Sequence, residues 1–308
     1  MAQASYRLPS RAAESLHPPV QLHYEMRGPE TGEPVLMLMG LGCQLIHWPD
    51  TFIDGLVNKG FRLILADNRD IGLSPSPTVR KHVSIPVDFL KGRLGIPIDA
   101  SYSLYDMAAD VVHLIDSLGY EKVHIVGVSM GGMIGNIVAG LYPSKVKSFT
   151  SMMSTCNPRA IWSKPKIVAH LSGLRGRPKK GDIESILDFQ MEFWNMIHDH
   201  SYPFEEKAQR EILRKALMRG NGGAGFLRQI QAVLASGNLT RVARQIKAPT
   251  LVIHGEGDTF IPISAAKHSV RAIPHARWKA IPKLGHTFPE GLIPDLVEML
   301  SEHIKAAS

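Results

Sequence analysis

The sequence predicts an α/β fold, a mostly parallel central sheet flanked by helices and interrupted by a helical insertion. Three observations predict it. Short apolar runs alternate with longer segments of helical periodicity along most of the chain, the rhythm of strand–helix–strand crossovers. Several of those runs are apolar without a break, as in strands covered on both faces, rather than alternating apolar and polar. The chain has 308 residues, 44% of them hydrophobic, enough to bury a large core.

In chain order, "VQLHYEMRG" (20–28) alternates and stops at Gly28, and reads as a strand. "PVLMLMG", "FRLILADN", "KVHIVGVS", "VKSFTSMMS" and "PTLVIHG" are the uninterrupted apolar strands, and "RWKAIPK" is a weaker seventh. Between them, "SLYDMAADVVHLIDSLGY" is apolar at helical spacing and closes at Gly119, while "MGGMIGNIVAGLYP" is a helix that stops before Pro143. "IPDLVEMLSEHIKAAS" closes the chain as an amphipathic helix. From 158 to 240 the strand rhythm disappears. Three helical patterns take its place: "IESILDFQMEFWNMIHDH", "FEEKAQREILRKALMRG" and "AGFLRQIQAVLAS". Residues 74–101 read as one long loop, of the kind that is often functional in a compact domain.

Composition narrows the function classes. The formal charge is +7, but the charges are dispersed. The densest cluster, "LRGRPKKG" with Arg175, Arg177, Lys179 and Lys180, has no interleaved aromatic residue and reads as a solvated loop, so no nucleic acid partner is expected. Cys43 and Cys156 make no disulfide framework. The first twenty residues lack the apolar run of a secretory signal, and no stretch reaches the ~20 apolar residues of a membrane span. The expectation is a cytoplasmic monomer or homodimer. Neither metal-ligand spacing, a phosphate-binding loop nor a dinucleotide fingerprint is present, so the expectation is no cofactor and no metal.

The chemistry centres on "VHIVGVSMGGMIG", residues 123–135. A bare G-x-S-x-G is a weak signal in a chain with 27 glycines. Here, however, an apolar strand runs into it and a helix leaves it. That is the setting of a nucleophile elbow, where a tight turn lifts Ser129 Oγ clear of the backbone and leaves no room for side chains at Gly127 and Gly131. A serine hydroxyl needs a base to take its proton. "KLGHTFPE" places His286 in a loop between the last strand and the last helix, and "VIHGEGDTFIP" places Asp258 in a loop after the preceding strand. Both loops belong at the carboxyl edge of a parallel sheet, with Ser129. Asp67 and Asp70 read as structural, holding the turn around Gly72 and Ser74, and Glu256 is the carboxylate competing with Asp258.

With these residues the chain resembles the α/β-hydrolase fold family, in its carboxylesterase and methylesterase branch, which carries segments like "MGLG" and "DNRDIGLS" one strand apart. The resemblance spans about residues 20–304. It implies Ser129 as nucleophile, His286 as base and Asp258 as the residue orienting His286. "MGLGCQLIHWP" would be the oxyanion loop, with Met39-Gly40 where relatives have His-Gly; the donors are the N–H groups of Leu41 (with Gly42 as the other choice) and Met130. Residues 158–240 become a helical cap domain and 1–157 with 241–308 the core domain. Gly40, Trp48 and Met130 are expected to touch substrate, with His47 beside them. The implied activity is hydrolysis of small-molecule carboxylic esters through an acyl-enzyme. C–C bond hydrolysis, lactonase and iminopeptidase chemistry use the same triad, the last needing a cap carboxylate such as Glu184, Asp188 or Glu192. A small-molecule receptor with little turnover is the alternative of another class.

Overall fold

The computed structural model describes residues 17–158, 165–171, 176, 178–179, 181–220 and 223–308. Trp162 and, from the basic cluster, Arg175, Arg177 and Lys180 lie outside them. The strands are β1 (Tyr24–Arg27), β2 (Glu33–Leu38), β3 (Phe61–Ala66), β4 (Val123–Val128), β5 (Val146–Met152), β6 (Thr250–Gly255) and β7 (Arg277–Ile281). They form one sheet in the order β1-β3-β2-β4-β5-β6-β7. Every neighbouring pair is parallel except β1 with β3.

All seven segments became strands, and the five uninterrupted apolar runs did so where the sheet is covered on both faces. Along β2, Leu36 and Leu38 pack into one core with helices α3 (Leu104–Ser117) and α4 (Met130–Leu141), whereas Val35 and Met37 pack into the other with α1 (Asp50–Asn58) and α11 (Ile293–Lys305). Successive strand residues point to opposite faces, so two apolar cores demand an unbroken apolar run. β1, at the sheet edge, is shorter than its run and holds only half-buried or exposed residues.

Two helices absent from the expected elements, α1 and α10 (Ile263–Ala272), are both amphipathic and so did carry the signal of a helix. A third departure corrects the long loop expected at 74–101: residues Ile85–Leu94 form a helix, α2. Pro86 sits in its first turn, where a missing N–H costs nothing. Its outer face exposes Val87, Leu90 and Leu94, which removes the polar stripe that marks a surface helix. Between β5 and β6 the described residues are helical: α5 (Pro165–Leu171), α6 (Ile183–Ile197), α7 (Glu206–Arg219), α8 (Gly223–Ser236) and the short α9 (Thr240–Ala243).

The strand order locates the site. The chain passes from β2 to β3 on one side, then returns to lay β4 on the other side of β2. The carboxyl ends of β2 and β4 therefore flank a topological switch point, where open α/β sheets form a crevice. The loop after β2 begins at Met39 and the turn after β4 at Ser129. Gly131 lets the two meet: a Cβ there would collide with the Leu38 carbonyl oxygen and lie 2.8 Å from that of Met39. Gly131→Ala is expected to destabilise the protein by roughly 2 kcal/mol, since backbone must move to admit the methyl. A thermal melt checks this, and an unchanged melting temperature contradicts the close approach.

Candidate active site

Ser129 joins β4 to α4 with φ +54° and ψ −117°, the conformation of the first central position of a type II′ turn, which glycine favours. A side chain there stores about 1–3 kcal/mol of strain. The surroundings hold it. Its N–H donates to Met152 O at 2.9 Å, and its carbonyl accepts from Gly132 N–H at 3.0 Å and from Ser154 Oγ at 2.6 Å. Met130 is the first residue of the 12-residue α4, so its N–H has no helical carbonyl to bond and lies at the positive end of the helix dipole.

The loop after β2 is a tight turn over Gly40–Cys43, closed by Cys43 N–H to Gly40 O at 3.1 Å. Gly42 has φ +70°, as the second central position of a type II turn requires. Asn68 Nδ2 donates to Met39 O at 2.9 Å. Gly40 runs beside the serine: a Cβ on it would lie 3.1 Å from Ser129 Cβ and 3.7 Å from Ser129 Oγ. The Gly42 N–H is taken, donating to Gln229 Oε1 at 2.9 Å, whereas the Leu41 N–H makes no hydrogen bond among the described residues. Of the two N–H groups considered for the first oxyanion donor, Leu41 has the free one.

Asp258 and His286 come together from the loops after β6 and β7. His286 Nδ1 and Asp258 Oδ2 are 2.7 Å apart. Asp258 Oδ1 accepts from the N–H groups of Phe260 (2.9 Å) and Ile261 (2.8 Å), so both oxygens are fixed. Both loops are braced by the end of α6: His286 N–H donates to Ile197 O at 2.8 Å, and Thr259 Oγ1 to Met196 O at 2.9 Å. Glu256 is exposed and makes no side-chain bond to His286. No hydrogen bond joins Ser129 Oγ to His286 among the described residues, and such bonds commonly tighten only with substrate in place. Phe260 links the two, packing edge-on against the His286 ring at 4.9 Å and lining the same pocket as Ser129.

That pocket is small and apolar, lined by Leu41, Ser129, Met130, Met133, Ile230, Val233 and Phe260. Met130 lines it together with Ser129. Trp48 corrects the expectation: it is buried in a different cluster, stacked on Phe52 at 5.6 Å and against Phe288 at 5.6 Å, on the α1–α11 face of the sheet. Two residues before the amphipathic helix α1, Trp48 has its largest apolar contact on that helix's buried face, not at the strand ends. His47 is likewise turned away, stacking on Trp194 at 6.4 Å.

Asp67 and Asp70 do more than hold their turn. Asp67 takes Leu73 N–H and Ser74 Oγ–H as expected, and also Arg219 Nη1 of α7 at 2.6 Å. Asp70 takes Arg228 of α8 through two bonds, 2.6 and 2.8 Å, and Tyr102 OH at 3.0 Å. These pairs, with Gln229, Ile230 and Val233, could not be read from the sequence; the one signal was the polar run Arg228, Gln229 and Gln231 inside a mostly apolar helix.

His124, His254 and His303 are buried, and His47 is half-buried. Burial pushes His47 and His124 each down to about 4, and lowers His254 and His303 as well. In the unfolded chain each titrates near 6.5, so below that pH protons favour the unfolded state. Stability is full above about pH 6.5 and falls towards pH 4, by of order 3 kcal/mol for fully buried His124 and by less for half-buried His47. Melting temperature against pH measures this; a flat curve from pH 7 to 4.5 contradicts it.

A strained serine at the switch point of a parallel sheet, with a histidine–carboxylate pair at the same edge, is the arrangement of α/β hydrolases. The family model described as alpha/beta hydrolase fold matches residues 33–290, and the chain belongs to that family. It is similar to rhodomycin D methylesterase DnrP of Streptomyces peucetius, 24% identical with 94% of this chain and 96% of that one covered. It is also similar to the 2-hydroxy-6-oxononadienedioate/2-hydroxy-6-oxononatrienedioate hydrolase of Paraburkholderia phymatum, 27% identical over 87% and 85%. Among solved structures, the enol-lactonase of Burkholderia xenovorans LB400 superposes with a TM-score of 0.68 at 18% identity, covering 92% of this chain and 96% of that one.

Proposed function

We propose that the protein hydrolyses small-molecule carboxylic esters through an acyl-enzyme on Ser129. The observation that carries the proposal is the strained Ser129 beside two unbonded N–H groups, at the edge that also bears the His286–Asp258 pair. Ser129 Oγ attacks the ester carbonyl carbon as His286 Nε2 takes its proton. Asp258 keeps the proton on Nδ1 and stabilises the imidazolium. The carbonyl oxygen, now an oxyanion, receives the Leu41 and Met130 N–H groups, each contributing about 3 kcal/mol at the transition state. The tetrahedral intermediate collapses, His286 protonates the departing alcohol, and water repeats the cycle on the acyl-enzyme.

The methylesterase relative supports the ester reading, and the apolar pocket supports a small acyl group. Residues 158–240 act as a cap, with Ile230 and Val233 of α8 over the serine. Of the cap carboxylates that the iminopeptidase alternative could use, exposed Glu192 lies 3.7 Å from His170 Nδ1. Glu184, held at about 2 by hydrogen bonds from Arg214 and Arg210, and Asp188, bonded to Arg210, are exposed and already paired. None of the described helices is long and apolar enough to cross a membrane. A cytoplasmic monomer or homodimer that acts on a small ester, without nucleic acid or cofactor, fits the proposal.

The test is nitrophenol release from p-nitrophenyl esters of increasing chain length. Steady turnover is expected, falling at least about tenfold from butyrate to laurate as the acyl chain outgrows the pocket. A single stoichiometric burst without turnover would favour the receptor alternative.

A further inference from the structure

We infer that Gln229, on α8, is a positioning residue that keeps the oxyanion donor Leu41 aimed at the reacting carbonyl. The inference rests on the ester-hydrolase proposal above. Gln229 is fully buried and uses both ends of its amide: Oε1 accepts from the Gly42 N–H at 2.9 Å, and Nε2 donates to Arg69 O at 2.9 Å. Those two partners lie on different core loops, one after β2 and one after β3.

The consequence follows from peptide planarity. A type II turn differs from a type I turn by a flip of its central peptide, here the Leu41–Gly42 unit. Gln229 holds the N–H of that unit. The preceding peptide, which carries the Leu41 N–H, is held at its other end because Gly40 O accepts from Cys43 N–H. A plane fixed at its carbonyl aims its N–H in the opposite direction. A flip of the central peptide alone would leave the Leu41 N–H in place. With Gln229 gone, however, the Gly42 N–H has no acceptor and the loop must move to bond it again; a move that breaks the Gly40–Cys43 bond re-aims the Leu41 N–H. The ring of Phe226 closes the remaining route, standing 2.5 Å from where a Gly42 Cβ would be.

Gln229 is in turn fixed by its own helix. The neighbouring Arg228 is bonded twice to buried Asp70, and Gly225 packs against the Asp70 carbonyl so closely that a Cβ would collide with it. One helix thus roofs the pocket through Ile230 and Val233 and sets the geometry of the donor beneath it. An insertion that selects substrate is therefore also wired into transition-state stabilisation.

The experiment compares wild type, Gln229→Leu, Gln229→Asn and Gln229→Glu with p-nitrophenyl acetate, each normalised by active-site titration with a fluorophosphonate. Leu removes both bonds; Asn keeps the polarity but is too short to reach Gly42, and decides the matter if the Leu variant does not fold. Both should lose roughly 10- to 100-fold in kcat with KM changed less than about threefold, as expected when a donor is misplaced. Affinity for an alkyl boronic acid, which forms a tetrahedral adduct on the serine, should weaken in step with kcat/KM. Glu keeps an acceptor for Gly42 but loses the donor to Arg69 O and buries a charge, so it should recover part of the loss and exceed Leu and Asn in kcat per titrated site. Wild-type kcat per titrated site in both the Leu and Asn variants overturns the inference, as does a rise in KM alone. Ser129→Ala runs alongside: if that variant turns over like wild type, the hydrolase proposal fails rather than the role of Gln229.

Discussion

Ser129→Ala and Ser129→Gly are both expected to lose at least about 10⁴-fold in kcat, because without Oγ no acyl-enzyme forms and only the oxyanion donors and binding remain. The two variants should separate in stability. Ala retains a Cβ at φ +54° and keeps the strain of the turn. Gly reaches that conformation without steric cost. Part of the gain is returned because glycine has more freedom in the unfolded chain, leaving a net stabilisation of about 1 kcal/mol, or about 2 °C in melting temperature for a chain of this size. Turnover assays and thermal melts of the three proteins give the answer. Activity surviving in Ser129→Ala would remove the serine from the mechanism. Equal stability of the Ala and Gly variants would remove the strain from the turn.

Asp70→Asn should cost about 3–5 kcal/mol in a denaturant titration. Asp70 is fully buried and its carboxylate is the counter-charge of a nearly buried Arg228. Removing one partner of such a pair leaves a charge uncompensated in a medium that solvates it poorly. Asn is the least disruptive choice because residue 70 has φ +73°, a region that Asn tolerates. The double variant Asp70→Asn/Arg228→Met removes both charges and should recover at least about half of the loss. A single-variant loss under about 1 kcal/mol would show that solvent reaches the pair. Since Arg228 anchors the helix that carries Gln229, Ile230 and Val233, the single variant should also lose activity faster than it loses folded protein.

The strands and the turn at Ser129 were legible because their determinants are local. An unbroken apolar run needs only to be buried on both faces, whatever covers it, and the five such runs became β2 to β6, the five inner strands of the sheet. The elbow is partly written in adjacent residues: Gly127 is demanded by the Gly131 carbonyl of the same turn, whereas the Leu38 carbonyl that demands Gly131 belongs to the neighbouring strand β2. Asp258 and His286 could be placed because a parallel sheet puts every strand-to-helix loop at one edge. α2 was not legible, since its exposed face is apolar and no stripe marks it.

The chain order of strands and loops thus determined, without the structure, the sheet, the elbow and the edge at which Ser129, Asp258 and His286 gather. What only the tertiary structure decided is which of the many remaining polar and apolar side chains meet. Trp48 follows the oxyanion loop in sequence yet packs on Phe52 and Phe288. Gly42 gives up its N–H to a residue 187 positions away, and Asp70 finds its cation 158 positions away. Periodicity states which face of an element is apolar, but not which element will cover it. Hydrogen bonds and ion pairs act over a few ångströms and depend on direction, so partners on different elements are chosen only when packing has set the elements' separation and angle.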